Sequence, residues 1–308
     1  MLLKGQGLTI ERPPRAAGTL VGAGASVLAL ILAALLLLKV SGWPVSFPQF
    51  LGYAGAGLLI LLAAVFGFWA YACAQMRYLL DAKGLTIAWG TLRHVIPVGR
   101  IEGFAQGRGE QRPRISGVGW WGYHVGRGHM DEFGRVLFFS THRSPEELVY
   151  VRTADATYAL SPRDPDRFIA EARRLQSASG PAQAEARAVV QRHPVAIYPV
   201  WADRVAQWLG LAAVLLNLAL WGYVFAVYPD LQNQITIEFP PLGDISTLQS
   251  RSEIFKIPAT ATAILGVNLL AGLGFQWKER AATYLLLSGA IFFQVLFWLA
   301  AAIAVINA

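Results

Sequence analysis

Five stretches of the chain are apolar around every face of a helix, and none contains an Asp, Glu, Lys, Arg or His: 16–38, 50–75, 205–228, 257–276 and 281–306. At about 1.5 Å per residue, twenty or so such residues cross the roughly 30 Å hydrocarbon layer, so each stretch predicts a membrane-spanning helix. The first follows Lys4, Arg12 and Arg15, as the apolar part of a secretory signal would. It is longer than the usual ~7–15 residues and no clean small-x-small cleavage site follows, so it reads as a retained anchor. Residues 40–76 are too long for one helix and open with Ser41-Gly42-Trp43-Pro44 and Phe47-Pro48. Those turn signals place the start of the second span near Phe50. The expected order is a tail (1–16), spans at 17–39 and 50–75, a polar segment, a span at 204–228, a loop (229–256), and spans at 257–276 and 281–306.

Between the second and third spans the hydrophobic period drops to two. Leu85, Ile87 and Trp89 alternate with Thr86 and Ala88, and 92–98, 101–104, 136–140, 148–153 and 157–160 are further short runs separated by turn residues. This predicts a mostly antiparallel β-domain. Asp164-Pro165-Asp166 then offers an N-cap, a proline at the first helical position and an acid in the first turn, and Phe168, Ile169, Ala172 and Leu175 fall on one helical stripe. A helix ending near Gln176 closes the domain. Residues 177–203 read as a linker, then a short Ala- and Arg-containing helix, then an interfacial segment from His193 to Trp201.

Composition agrees with this partition. The 308 residues are 55% hydrophobic and only 15% charged, with mean hydropathy +0.44. A soluble domain carries about 25% charged residues, so purely soluble, fibrous and disordered classes are excluded. The segment 77–204 holds 18 basic and 13 acidic residues, a net +5. Lysines and arginines flank the polar segment (Arg77, Lys83, Arg93, Arg187, Arg192, Arg204), occupy the tail, and appear as Lys278 and Arg280 between the last two spans, whereas the opposite ends have Lys39, Arg251 and Lys256. The positive-inside rule therefore puts the N-terminus and residues 77–203 in the cytoplasm and the C-terminus outside. The single cysteine, Cys73, allows neither an intramolecular disulfide nor a cysteine-based metal cluster.

Several strands closed by one amphipathic helix is also the order of a pleckstrin-homology fold. The stretches Arg77–Asp81, Gly84–Ile87, Arg93–Ile101, Gly119-Trp120-Trp121-Gly122 with Gly126, Gly134–Thr141 and Tyr158–Phe168 resemble bacterial PH-like domains attached to multi-span membrane proteins of uncharacterised function. The pattern Ser161-Pro162-x-Asp164-Pro165-x-x-Phe168 is its most specific element. The resemblance covers 77–176 and implies binding or assembly at a membrane, with no catalytic residue to carry over. The expected fold is thus α+β: five transmembrane helices, with a PH-like β-barrel or sandwich domain inserted between the second and third.

Candidate chemistry is sparse. Gly117-x-Gly119-x-x-Gly122 matches a dinucleotide fingerprint literally, but no helix follows and Trp120 and Trp121 stand where a pyrophosphate would approach, so it reads as a glycine-rich β-loop. His94, His124, His129, His142 and His193 show no zinc-ligand spacing and read as exposed loop residues. No metal, cofactor or catalytic group is expected, and arginines alternating with acids argue against nucleic acid. Arg100, Arg108, Arg112 and Arg114 are the candidate contacts for an anionic head group or partner. Gly18-x-x-x-Gly22 and Gly52-x-x-x-Ala56 are candidate helix-packing positions, within the bundle or, alternatively, in a homodimer. The apolar stretches contain no Asp, Glu, Lys, Arg or His; Asn217, Asn268 and Gln294 are expected to bond between helices. The sequence therefore favours a non-enzymatic membrane scaffold or regulator, touching lipid and a membrane-protein partner, over a small-solute channel or exporter subunit.

Overall fold

The computed structural model describes residues 8–81, 84–107, 115–142, 144–178, 189–192, 200, 203–238, 246–276 and 278–307. Its helices are α1 (Ala16–Ser41), α2 (Phe47–Ala74), α3 (Pro165–Ala178), α4 (Arg204–Val227), α5 (Lys256–Phe275) and α6 (Arg280–Ile306). All except α3 are long and apolar enough to cross a membrane. α2 starts at Phe47, before the expected Phe50, because Pro48 lies in the first turn, where no intrahelical N–H bond is lost. The chain divides into two compact units, Met1–Leu30 with Ile60–Ala196, and Ile31–Leu59 with Ile197–Ala308.

The first unit holds two sheets. Its strands are β1 (Thr9–Glu11), β2 (Arg77–Asp81), β3 (Gly84–Trp89), β4 (Leu92–Pro97), β5 (Ile101–Gln106), β6 (Ser116–Trp120), β7 (Tyr123–Met130), β8 (Gly134–Ser140), β9 (Val149–Thr153), β10 (Thr157–Leu160) and β11 (Val189–Arg192). One sheet runs β1-β2-β3-β4-β11 and the other β5-β9-β10-β8-β7-β6. Every pair is antiparallel except β8 with β10. Among the described residues no ladder joins the two sheets, which pack against each other around one core. Two strands depart from expectation. β1 comes from the presumed tail, and β11 lies where a linker and helix were expected; residues 179–188 and 193–199 of that segment fall outside the described residues.

Alternation puts Tyr78, Leu80, Leu85, Ile87 and Ile96 of the first sheet against Tyr123, Val125, Phe139, Val149, Val151 and Leu160 of the second, and Phe168 and Ala172 of α3 join this core. The α3 N-cap forms as expected, with Asp164 Oδ1 accepting the Arg167 N–H at 3.0 Å. One polar pin crosses the apolar interior: the fully buried Tyr78 hydroxyl donates to the Phe139 carbonyl at 2.6 Å and accepts the Ser161 N–H at 3.2 Å. Burial pushes its pKa up to about 12, so it remains a donor throughout the physiological range.

In the second unit the buried Gln49 amide donates to Val40 O in the last turn of α1 at 3.1 Å and to Trp43 O in the turn that follows at 3.0 Å. Asn217 of α4 donates to Gln294 of α6 at 3.1 Å, and Gln294 donates to Ala261 O of α5 at 3.0 Å. These amides bond between helices, whereas Asn268 turns back on its own helix, donating to Ile264 O at 3.0 Å. β12 (Gln234–Glu238) and β13 (Ser246–Ser250) form an antiparallel hairpin between α4 and α5.

Asp203 ties the near ends of α4, α5 and α6 together. It caps α4 by accepting the Ala206 N–H at 3.0 Å, and it also accepts the Tyr284 hydroxyl at 2.9 Å and the Gln276 amide at 3.4 Å. Burial works against the charged form, but these hydrogen bonds and the Arg280 charge hold the carboxyl below the usual aspartate value. A carboxyl depressed on folding stabilises the fold fully above its unfolded pKa, about 3.9, and loses that contribution as pH falls through the lower folded value. Thermal unfolding of the detergent-solubilised protein should show an acid-side loss of stability that is smaller in Asp203→Asn, which retains a capping side chain but no titrating group. Identical pH profiles for the two proteins would refute this role.

Candidate functional site

Small residues at the start of α1 let the β-domain approach the helix backbone. An added Cβ at Gly18 would lie 2.2 Å from Gly122 O, and one at Gly122 would lie 2.6 Å from Gly18 N. Gly122 also sits at φ +79° in the β6–β7 turn, a left-handed conformation that costs other L-residues about 1–2 kcal/mol. Trp120 secures the contact by donating its indole N–H to Gly18 O at 3.0 Å. Its ring lies 4.8 Å from Tyr123, 5.5 Å from Trp69 and 6.4 Å from Phe66, centroid to centroid. The Trp89 indole donates to the Tyr123 hydroxyl, which links this aromatic cluster to the first sheet. Farther along the helices, an added Cβ at Gly22 would be 3.0 Å from the Ala70 Cβ, and the Ser26 hydroxyl donates to Ala63 O at 2.8 Å.

Beside this contact opens a groove of about 930 Å³, with Arg15 and Leu20 on the helix side and Trp121, His124, His142 and Arg163 on the domain side. A smaller cavity of about 430 Å³ shares His142, Glu147 and Arg163 with it. Trp121 is 80% exposed, whereas its neighbour Trp120 is partly buried. His142 Nδ1 is 3.4 Å from Glu147 Oε2, so among the described residues the acid that lines the groove faces a histidine. Arg15 donates to Met76 O at 3.4 Å. Partial burial pulls the Arg15 pKa down, and so do the charges of Arg12, Arg163 and Arg77. Positive charge is thus gathered at this end of α1.

The arginines singled out from sequence lie elsewhere. Arg100 ends a 3-10 turn before β5 and pairs with Asp155 at 3.8 Å; Arg108, Arg112 and Arg114 fall outside the described residues. Gly18 and Gly22 lie at the junction just described. Gly52 faces Val40, whose Cγ2 would be 2.4 Å from an added Cβ, and Ala56 is buried in the second unit. The glycine-rich Gly117–Gly122 segment is the β6 strand and its turn. His94, His124 and His129 are on strands and not in loops, because β4 and β7 extend through them. His124 and His129 lie five positions apart on β7 and therefore point to opposite faces. His193 is outside the described residues. The residues that the sequence reading missed are Arg15, which served only as a topology signal, and Trp121, His124, His142 and Arg163, which come from separate segments.

The glycine contact gives a matched test on one helix. Gly18→Ala should lower stability by about 1–3 kcal/mol, the usual cost of overpacking, and speed amide exchange across residues 116–130. Gly24→Ala, at a position with nothing within 4 Å, should be neutral or slightly stabilising. Equal effects at the two positions, measured by unfolding and hydrogen exchange, would exclude the close approach.

No curated protein and no solved structure matches the chain. The family comparison covers the two sheets without β1 and β11, together with α3: residues 76–176 match the model of the bacterial PH domain.

Proposed function

We propose that the protein is a non-enzymatic scaffold or regulator of the bacterial inner membrane, in which five spans hold a PH-like domain at the cytoplasmic surface to engage a membrane-bound partner protein. The observation that carries this reading is the shortness of the domain's links to α1 and α2. Only Gln75 and Met76 separate α2 from β2, only Arg12-Pro13-Pro14-Arg15 separate β1 from α1, and the Gly18–Gly122 contact closes the remaining gap. A domain held this way stays in a thin layer at the bilayer, which raises its effective concentration for other membrane-bound proteins. The distribution of Lys and Arg supports the cytoplasmic placement. In the second unit Asn217 and Gln294 are engaged in bonds between helices, which fits an anchor better than a solute path.

Co-purification from mildly solubilised native membranes tests the reading. The full chain should retain at least one membrane-protein partner that is lost when residues 77–176 are replaced by a fluorescent protein of known fold. The same partners with both proteins would remove the domain's role. A reporter inserted after Asp131 that was accessible only from the periplasm would overturn the orientation.

A further inference from the structure

The groove at the start of α1 has the features of a site for an amphiphile. Its polar end carries Arg15 and Arg163 together with the Glu147 carboxylate, and Arg12 and Arg77 add positive charge around Arg15. Arg12, Arg163 and Arg77 act unfavourably on the Arg15 charge, and an anion placed between Arg15 and Arg163, which both line the groove, relieves that repulsion while accepting the short, charge-assisted hydrogen bonds that guanidinium donates to phosphate. His124 and His142 add ring nitrogens to the domain wall.

The other end is apolar and leads into the bilayer. Leu20 lines the groove and is 71% exposed, and Val27 and Leu28, two turns further along α1, are 55% and 57% exposed. These residues share one face of a membrane-spanning helix, so the stripe leaving the groove is a surface for an acyl chain. Trp121 projects beside it, a residue type that favours the level of the head groups. The groove volume of about 930 Å³ lies within the ~300–1,000 Å³ range of ligand pockets. A free phosphate would use only the arginines and leave the Leu20 wall wet, whereas a phospholipid uses both ends.

We infer that the groove formed by Arg15, Leu20, Trp121, His124, His142 and Arg163 binds the phosphate head group of an anionic phospholipid whose acyl chain runs along α1. This inference rests on the reading that α1 crosses the membrane with the β-domain at its surface. It differs from that reading in naming lipid as a second ligand, at a site separate from Arg100.

The test is native mass spectrometry of the full-length protein released from detergent with phosphatidylglycerol or phosphatidylcholine added at equal concentration. Wild type should retain phosphatidylglycerol preferentially. Arg163→Gln should weaken that retention about fivefold, the factor equivalent to about 1 kcal/mol per arginine near an anionic surface. Arg15→Gln/Arg163→Gln should weaken it by about 25-fold, and Arg100→Gln should leave it unchanged. Because Arg15 also contacts Met76 O, the single Arg163 variant decides the matter if the double variant misfolds. Equal retention of the two lipids, or unchanged retention in Arg163→Gln, overturns the inference. Displacement of phosphatidylglycerol by an equal concentration of glycerol phosphate also overturns it, since the acyl wall would then contribute nothing. These outcomes leave the partner co-purification untouched, so loss of the lipid site and loss of the scaffold reading are separate results.

Discussion

Much of the first unit depends on one close approach, between the backbone of Gly18 in α1 and that of Gly122 in the β6–β7 turn. Neither position has room for a methyl group. With both glycines in place, the Trp120 indole reaches the Gly18 carbonyl and its ring completes the cluster with Tyr123, Trp69 and Phe66. The same turn sends Trp121 outward, so Trp121 and Gly122 become one wall of the groove. Two adjacent tryptophans thus differ in exposure because Trp120 ends β6 whereas Trp121 lies in the turn.

The approach is reinforced by backbone pairing. β1 precedes α1 and pairs with β2, which follows α2. The first sheet is therefore bonded to segments leading into both helices, and the connection into α1 contains Pro13 and Pro14, whose φ angles are restricted. Swinging the domain away from α1 would require breaking the β1–β2 ladder as well as the glycine contact. At the other edge β11 pairs with β4, so strands from outside the family match cover both edges of this sheet. Covering edges also removes templates for unwanted strand pairing.

These features differ in how plainly the sequence announces them. The spans and α3 were legible because each is a long periodic signal: uninterrupted apolar residues in one case, an Asp-Pro cap followed by the Phe168–Ala172–Leu175 stripe in the other. Strands such as β3 and β9 were legible from alternation. β6 and β7 were not picked out as strands, because their glycines serve close packing and turn formation and dilute any period-two pattern. β1 is too short for a periodic signal, and its strand character arises from pairing with a segment 66 or more residues away. The groove was invisible for a related reason. Arg15, Trp121, His142 and Arg163 are scattered along the sequence and are brought together only by the tertiary fold, so counting arginines favours Arg100 to Arg114 instead.

The distribution of polar groups also bears on where chemistry can occur. In the second unit Asn217, Gln294 and Thr262 bond to one another or to helix carbonyls, and Asp203 is committed to capping α4 and receiving Tyr284. Those interactions hold helices in register in a medium where an unpaired polar group costs several kcal/mol. Around the groove the balance is reversed: cations outnumber acids, and Arg15 is partly desolvated among like charges. An excess of positive charge beside an exposed leucine and tryptophan becomes more favourable when an anionic amphiphile lies against it. Ligand binding is therefore better sought at the junction of helix and sheet than among the spans.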